Sequence, residues 1–141
     1  MRKTILIFCF FVIDASALEL FADRAEYNTF HREAEFLDNV KVIFNGATMT
    51  TNRIVVNLED DSFEIAGAVA DGEVFVETAE ETATSNRAIY NAKDHLLTLL
   101  EDVRIDRDGV KITSSTYTID TETRDSNLGN GDGQRVKIKI Q

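Results

Sequence analysis

Three pairs of adjacent carboxylates, Asp60-Asp61, Glu80-Glu81 and Glu101-Asp102, are the side chains whose type and spacing best suit catalysis. Two carboxyl groups flanking a glycosidic bond can serve as acid and base, or acid and nucleophile, in a glycan hydrolase. That chemistry needs both groups in one cleft. Each pair instead falls in an expected turn or on the outward parity of an expected strand, where solvated charge is the ordinary state. No catalytic residue is assigned. His31 and His95 fall in expected loops without a spaced histidine or cysteine partner, so no metal site is assigned either. Gly129-Asn130-Gly131-Asp132-Gly133 has the composition of part of a calcium-binding glycine-rich repeat, but one copy cannot complete a ligand shell. The segment from Arg124 to Gln134 reads as a flexible linker, and no cofactor is implied.

The chain has 141 residues, 43% of them hydrophobic, which suits one domain with a real core. A net charge of −10 argues against nucleic acid, whose phosphates are bound by clustered Lys and Arg. Met1-Arg2-Lys3, the apolar run Ile5 to Ile13 and Asp14-Ala15-Ser16-Ala17 have the order of a cleavable secretory signal. Nine apolar residues are too few to span a bilayer as a helix. Cleavage is expected after Ala17, with residues 1–17 as the signal and export as the outcome. Cys9, the one cysteine, leaves with the signal, so the mature chain is expected to hold together without disulfides. Arg2, Lys3 and Asp14 also leave, giving 13 Lys and Arg against 24 Asp and Glu, a net of −11.

Internal repetition organises the rest. Ala22-Asp23-Arg24-Ala25-Glu26-Tyr27-Asn28 returns as Thr51-Asn52-Arg53-Ile54-Val55-Val56-Asn57, as Ser85-Asn86-Arg87-Ala88-Ile89-Tyr90-Asn91 and as Ser114-Ser115-Thr116-Tyr117-Thr118-Ile119-Asp120. The last residues, at 28, 57, 91 and 120, are spaced by 29, 34 and 29. The first and third units align without a gap at an offset of 63, which places Phe36 on Leu99, Val40 on Val103 and Val42 on Ile105.

Phe36, Val40, Val42 and Phe44 share one parity, the period of a half-buried strand, and Leu97, Leu99, Val103 and Ile105 repeat it. Asn45-Gly46, Asp71-Gly72 and Asp108-Gly109 are the expected hairpin turns. Inward parity then slips by one residue near Thr50 to Asn52 and Thr113 to Ser115, which predicts a bulge or corner in each unit, and repeated corners roll a sheet. The Asn or Asp ending each unit is expected to bond its own backbone in a turn. Glu77 to Ala83 could form one helical turn. The fold expected is all-β, with antiparallel repeats in a folded-over, open, jellyroll-like sheet.

The cleaved signal, the Ala-Asp-Arg-Ala-x-Tyr-Asn unit, the Asn39-Val40-Lys41-Val42 strand with its Asn45-Gly46 turn, and the terminal Gly133-Gln134-Arg135-Val136-Lys137 together resemble the OstA-like periplasmic family, in its bridge-protein branch. The likeness covers Leu18 to Gln141, with an OstA-like domain over 18–123 and a terminal strand over 135–141. It implies a periplasmic bridge in lipopolysaccharide export between an inner-membrane LptC-like and an outer-membrane LptD-like protein. Inward apolar residues are ordinarily a dry core. In a sheet that fails to close they would line a lipid groove, here Phe36, Val40, Val42, Phe44, Ile54, Val56, Phe63, Ile65, Tyr90, Leu97, Leu99, Ile105, Tyr117 and Ile119. Contact should be confined to lipopolysaccharide acyl chains, since this acidic chain repels an anionic saccharide.

Edge strands with unpaired backbone groups suit sheet extension. The candidates are the first mature strand, about Leu20 to Tyr27, with Leu20 and Ala22, and the last, Arg135 to Ile140, with Val136, Lys137, Ile138 and Ile140. Joining them gives a head-to-tail homo-oligomer or a junction with a partner. A structural or adhesive β-repeat protein that binds a partner or carbohydrate is the alternative reading, and a glycan hydrolase ranks third. An apolar groove favours the bridge, a closed core the adhesive protein and convergent inward carboxylates the hydrolase.

Overall fold

The computed structural model describes residues 2–5, 11–13, 18–44, 46–60, 64–123, 125–129 and 137–140. Its elements are all strands. Six long ones run in chain order: β5 (Glu33–Phe44), β6 (Ala47–Leu58), β7 (Ile65–Glu77), β8 (Thr82–Asn91), β9 (Leu96–Arg107) and β10 (Val110–Asp120). Short strands flank them: β1 (Arg2–Ile5), β2 (Phe11–Ile13), β3 (Leu18–Phe21) and β4 (Arg24–Asn28) before, β11 (Ser126–Gly129) and β12 (Lys137–Ile140) after. Each long strand pairs antiparallel with the next in one continuous sheet. Among the described residues no ladder joins its two ends, so the sheet does not close into a barrel.

A line of corners crosses the sheet at the middle of every long strand. Registers shift between Leu37 and Val40, Thr50 and Arg53, Asp71 and Val74, Thr84 and Arg87, and Ser114 and Thr116. In β5, β7 and β9 the corner is a pair of left-handed residues: Asp38-Asn39 (φ 66° and 52°), Gly72-Glu73 (85° and 50°) and Glu101-Asp102 (66° and 59°). In β6, β8 and β10 it is a buried hydroxyl, on Thr51, Ser85 and Ser114. The Thr51 hydroxyl makes a forked donation to the carbonyls of Asp71 (3.1 Å) and Gly72 (2.9 Å), Ser85 donates to the Arg87 carbonyl (2.9 Å), and Ser114 to that of Thr116 (2.7 Å). These hydroxyls satisfy carbonyls at the bulge, which in a dry interior would otherwise cost more than a hydrogen bond gains.

The repeat unit now has a physical meaning. Its small first residue sits inside the corner. Its arginine lies on the outer face beside corner carboxylates: Arg24 Nε is 2.9 Å from Asp38, Arg53 pairs with Glu35 and Asp71, and Arg87 Nε is 3.6 Å from Asp71. Its last residue holds the next turn. Asn28 accepts from the amides of Phe30 and His31, Asn91 from that of Asp94, and Asp120 from those of Glu122 and Thr123. The two amides on Asp120 hold its carboxyl below the usual range.

Four expectations are corrected. Asp71-Gly72 is not a hairpin: Gly72 has the positive φ expected of a turn, but β6 and β8 hold β7 on both sides of it, so the chain bends and continues. Glu77 to Ala83 holds no helical turn. A tight reversal does the work there, with the Thr78 hydroxyl accepting from the amides of Glu80 (3.2 Å) and Glu81 (3.1 Å). Ser126–Gly129, assigned to the linker, is β11 and pairs with Thr116–Ile119. The strand expected from Leu20 to Tyr27 is broken at Ala22-Asp23 into β3 and β4, because β5 turns its corner opposite that point and the Asp23 amide bonds the Asp38 carbonyl at 3.0 Å.

Candidate functional site

The line of corners divides the sheet into two leaves. The first carries Glu33–Leu37, Arg53–Leu58, Ile65–Asp71, Arg87–Asn91, Leu96–Leu100 and Thr116–Asp120. The second carries Val40–Phe44, Ala47–Thr51, Val74–Glu77, Thr82–Ser85, Val103–Arg107 and Val110–Ser114. Inward side chains of both leaves merge in one apolar cluster.

Of the expected lining residues, Phe36, Ile54, Val56, Leu97, Leu99 and Tyr117 are buried on the first leaf, and Val40, Val42 and Ile105 on the second. Ile65, Tyr90 and Ile119 on the first leaf and Phe44 on the second are half-buried against the cluster. Phe63 lies outside the described residues. The half-buried set sits toward the free ends of the strands, away from the corners. The interior is therefore tightest along the fold line, where Leu99 and Val103 are 0% exposed, and loosens toward the mouth between the leaf ends.

Val74, Val76 and Ala70 on β7, with Met49, Ala83, Ala88 and Val103, belong to the same cluster but were absent from the expected lining. The signal for β7 was present, since Val74 and Val76 alternate with Glu73, Phe75 and Glu77.

One carboxylate enters this interior, against the expectation that Glu80-Glu81 is solvated. The Glu81 side chain is 9% exposed. Its Oε2 accepts from Arg107 Nη2 (2.9 Å) and Nε (3.1 Å), and its Oε1 from the Tyr117 hydroxyl (2.6 Å). Glu81 raises Arg107 above its usual value, and burial first, then the bond to Glu81, pushes the Tyr117 phenol up to about 12. Both oxygens of Glu81 are thus committed to partners, an arrangement suited to holding the leaves together. Of the other pairs, Asp60, Glu101 and Asp102 are exposed, and Asp61 lies outside the described residues. No group of three potential metal ligands occurs among the described residues.

The joining candidates divide. Leu20 and Ala22 are buried in the cluster, so only backbone is offered at that flank, and in the full chain β2 pairs β3 and β1 pairs β4 there. At the other flank Lys137, Ile138 and Ile140 lie in β12, opposite Thr113, Ile112 and Val110. Val136 lies outside the described residues.

With this geometry in hand, comparison with known proteins is direct. The family described as LptA/(LptD N-terminal domain) LPS transport protein matches residues 19–125. No curated protein matches the chain. The crystal structure of LptH, the LptA homologous periplasmic component of the conserved lipopolysaccharide transport device from Pseudomonas aeruginosa, aligns with a TM-score of 0.73 at 16% identity, over 89% of this chain and 96% of that one. That likeness speaks for the fold, an open antiparallel sheet folded on itself. Because the family match spans about three quarters of the sequence and every long strand, this chain belongs to the LptA/LptD N-terminal-domain family of lipopolysaccharide transport proteins.

Proposed function

We propose that this protein is a periplasmic bridge that carries the acyl chains of lipopolysaccharide between its two leaves, from an inner-membrane LptC-like partner toward an outer-membrane LptD-like one. The observation that carries the reading is an apolar interior in a sheet that no ladder closes among the described residues, in a chain of this family. Side-chain packing and the bonds of Glu81 to Tyr117 and Arg107, with no backbone ladder among the described residues, hold the leaves shut. An acyl chain entering between them replaces protein methylenes with its own, each worth about 0.8 kcal/mol on burial, so the exchange is nearly balanced. The half-buried Phe44, Ile65, Tyr90 and Ile119 are where parting costs least, because they have the least contact to lose.

Joining proceeds by strand addition at the flanks, where β3 with β4 and β11 with β12 each expose half-edges of backbone once the signal has gone. Copies could then stack head to tail. The carboxylate geometry does not support the hydrolase reading: the inward Glu81 is bound on both oxygens, so it is not poised as a free acid or base.

A photo-reactive side chain placed at Phe44 or Val56 should capture lipopolysaccharide, and one at outward Lys41 should not. Equal capture at all three positions would refute a path between the leaves.

A further inference from the structure

The outer face of the second leaf carries a wide, open cleft of about 530 Å³. Its floor is a cross-strand row contributed one residue per strand: Thr50 on β6, Phe75 on β7, Thr84 on β8 and Arg104 on β9. Glu73, Asn86 and Asp102 wall it from the corners of β7, β8 and β9. Phe75 is 37% exposed, whereas its chain neighbours Val74 and Val76 are buried in the interior, so β7 separates this cleft from the apolar cluster.

The chemistry of the lining is specific. One aromatic ring lies open at the centre, with hydroxyls on both sides of it. Around it stand an amide, two carboxylates and a guanidinium, so planar donors and acceptors alternate. Arg104 Nε is 3.4 Å from Asp102 Oδ1, which holds the cation beside the cleft. Glu73 and Asp102 keep left-handed backbone at φ 50° and 59°, where Asn or Gly would be less strained.

Strand addition is impossible here, because β7 and β8 are paired on both sides along this leaf. A single aromatic offers too little apolar area to anchor a protein partner. The two carboxylates against one guanidinium disfavour a phosphate-rich anion. A sugar ring meets every condition, with its C–H face on Phe75 and its vicinal hydroxyls on the planar groups around it.

We propose that this cleft is a saccharide-binding site for an uncharged oligosaccharide, separate from the acyl path and independent of it. Lack of charge excludes the phosphate-bearing sugar portion of the glycolipid and leaves a neutral glycan of N-acetylated sugars as the occupant.

The chain contains no tryptophan, so Phe75→Trp installs a single fluorescent reporter in the cleft. The variant should be titrated with the uncharged tetramer of N-acetylglucosamine, and with anionic deacylated lipopolysaccharide as the contrast. A saturable change in emission is expected with the tetramer and none with deacylated lipopolysaccharide. In parallel, amide chemical shifts of the parent protein should move at Phe75, Thr84 and Asn86. Phe75→Ala should weaken binding at least tenfold, while Ile89→Ala, an equally exposed apolar residue on the first leaf, should leave it unchanged. No saturation with the tetramer, tighter binding of deacylated lipopolysaccharide, or binding unaffected by Phe75→Ala overturns the proposal. Lipid capture at Phe44 and Val56 should be the same in Phe75→Ala as in the parent, so loss of that capture bears on the acyl path alone.

Discussion

The Tyr117 hydroxyl on β10 donates a 2.6 Å hydrogen bond to Oε1 of Glu81 in the turn between β7 and β8, tying the first leaf to the second. Tyr117 lies beyond the corner of its strand and Glu81 at the far end of the other leaf, so the sheet must fold over before they can meet. Arg107 balances the charge that this turn brings inside.

Tyr117→Phe should lower stability by about 1.5–3 kcal/mol, the range for losing a hydrogen bond to a charged group. The effect should depend on pH. The phenol titrates near 10 when unfolded and at about 12 in the fold, so its contribution is fully present below pH 10 and is lost as pH rises from 10 to 12. Denaturant titrations of parent and variant across that window should converge as pH rises. A constant gap would contradict the assignment.

Leu99 is 0% exposed on the fold line, and Leu99→Ala should cost about 2–5 kcal/mol. Phe30, 87% exposed in the turn after β4, should tolerate alanine within about 0.5 kcal/mol. Urea unfolding of the two variants measures the contrast directly.

Gly72 has φ +85°, and an added Cβ would stand 3.3 Å from Asn52 Nδ2. Gly72→Ala should therefore destabilise by about 1–2 kcal/mol. Glu101→Asn, at a left-handed position in the equivalent corner of β9, should stabilise by about 0.5 kcal/mol, since Asn tolerates that backbone better. Thermal midpoints moving in opposite directions would establish that the corners are set by backbone conformation.

Proline placed in turn at Ile138 and Lys139 should remove one outward backbone donor from β12 in one variant or the other, since donors alternate along an edge strand. One of the two should lose partner binding and self-association by size-exclusion chromatography while its thermal midpoint barely changes. If both assemble like the parent, β12 is not the joint.

Much of the architecture was legible because it repeats. The period of two in Phe36, Val40, Val42 and in Leu97, Leu99, Val103 marks which face is buried, and the parity slip at Thr51 and Ser114 locates two corners. The turn role of Asn28, Asn91 and Asp120 was also legible, as it depends on a side chain and backbone two or three residues away.

What the chain could not announce was anything settled by neighbours distant in sequence. Gly72 alone permits a positive φ and says nothing of whether the strand reverses or bends; the ladders to β6 and β8 decide that it bends. Glu81 looks like half of a solvated acidic pair, and only the arrival of Arg107 and Tyr117, 26 and 36 residues away, makes an inward carboxylate tolerable. Thr50, Phe75, Thr84 and Arg104 form a row only through strand register. Local chemistry thus determined which residues turn, bulge or face inward, while tertiary pairing decided which of them meet, because a contact between leaves depends on register and folding together.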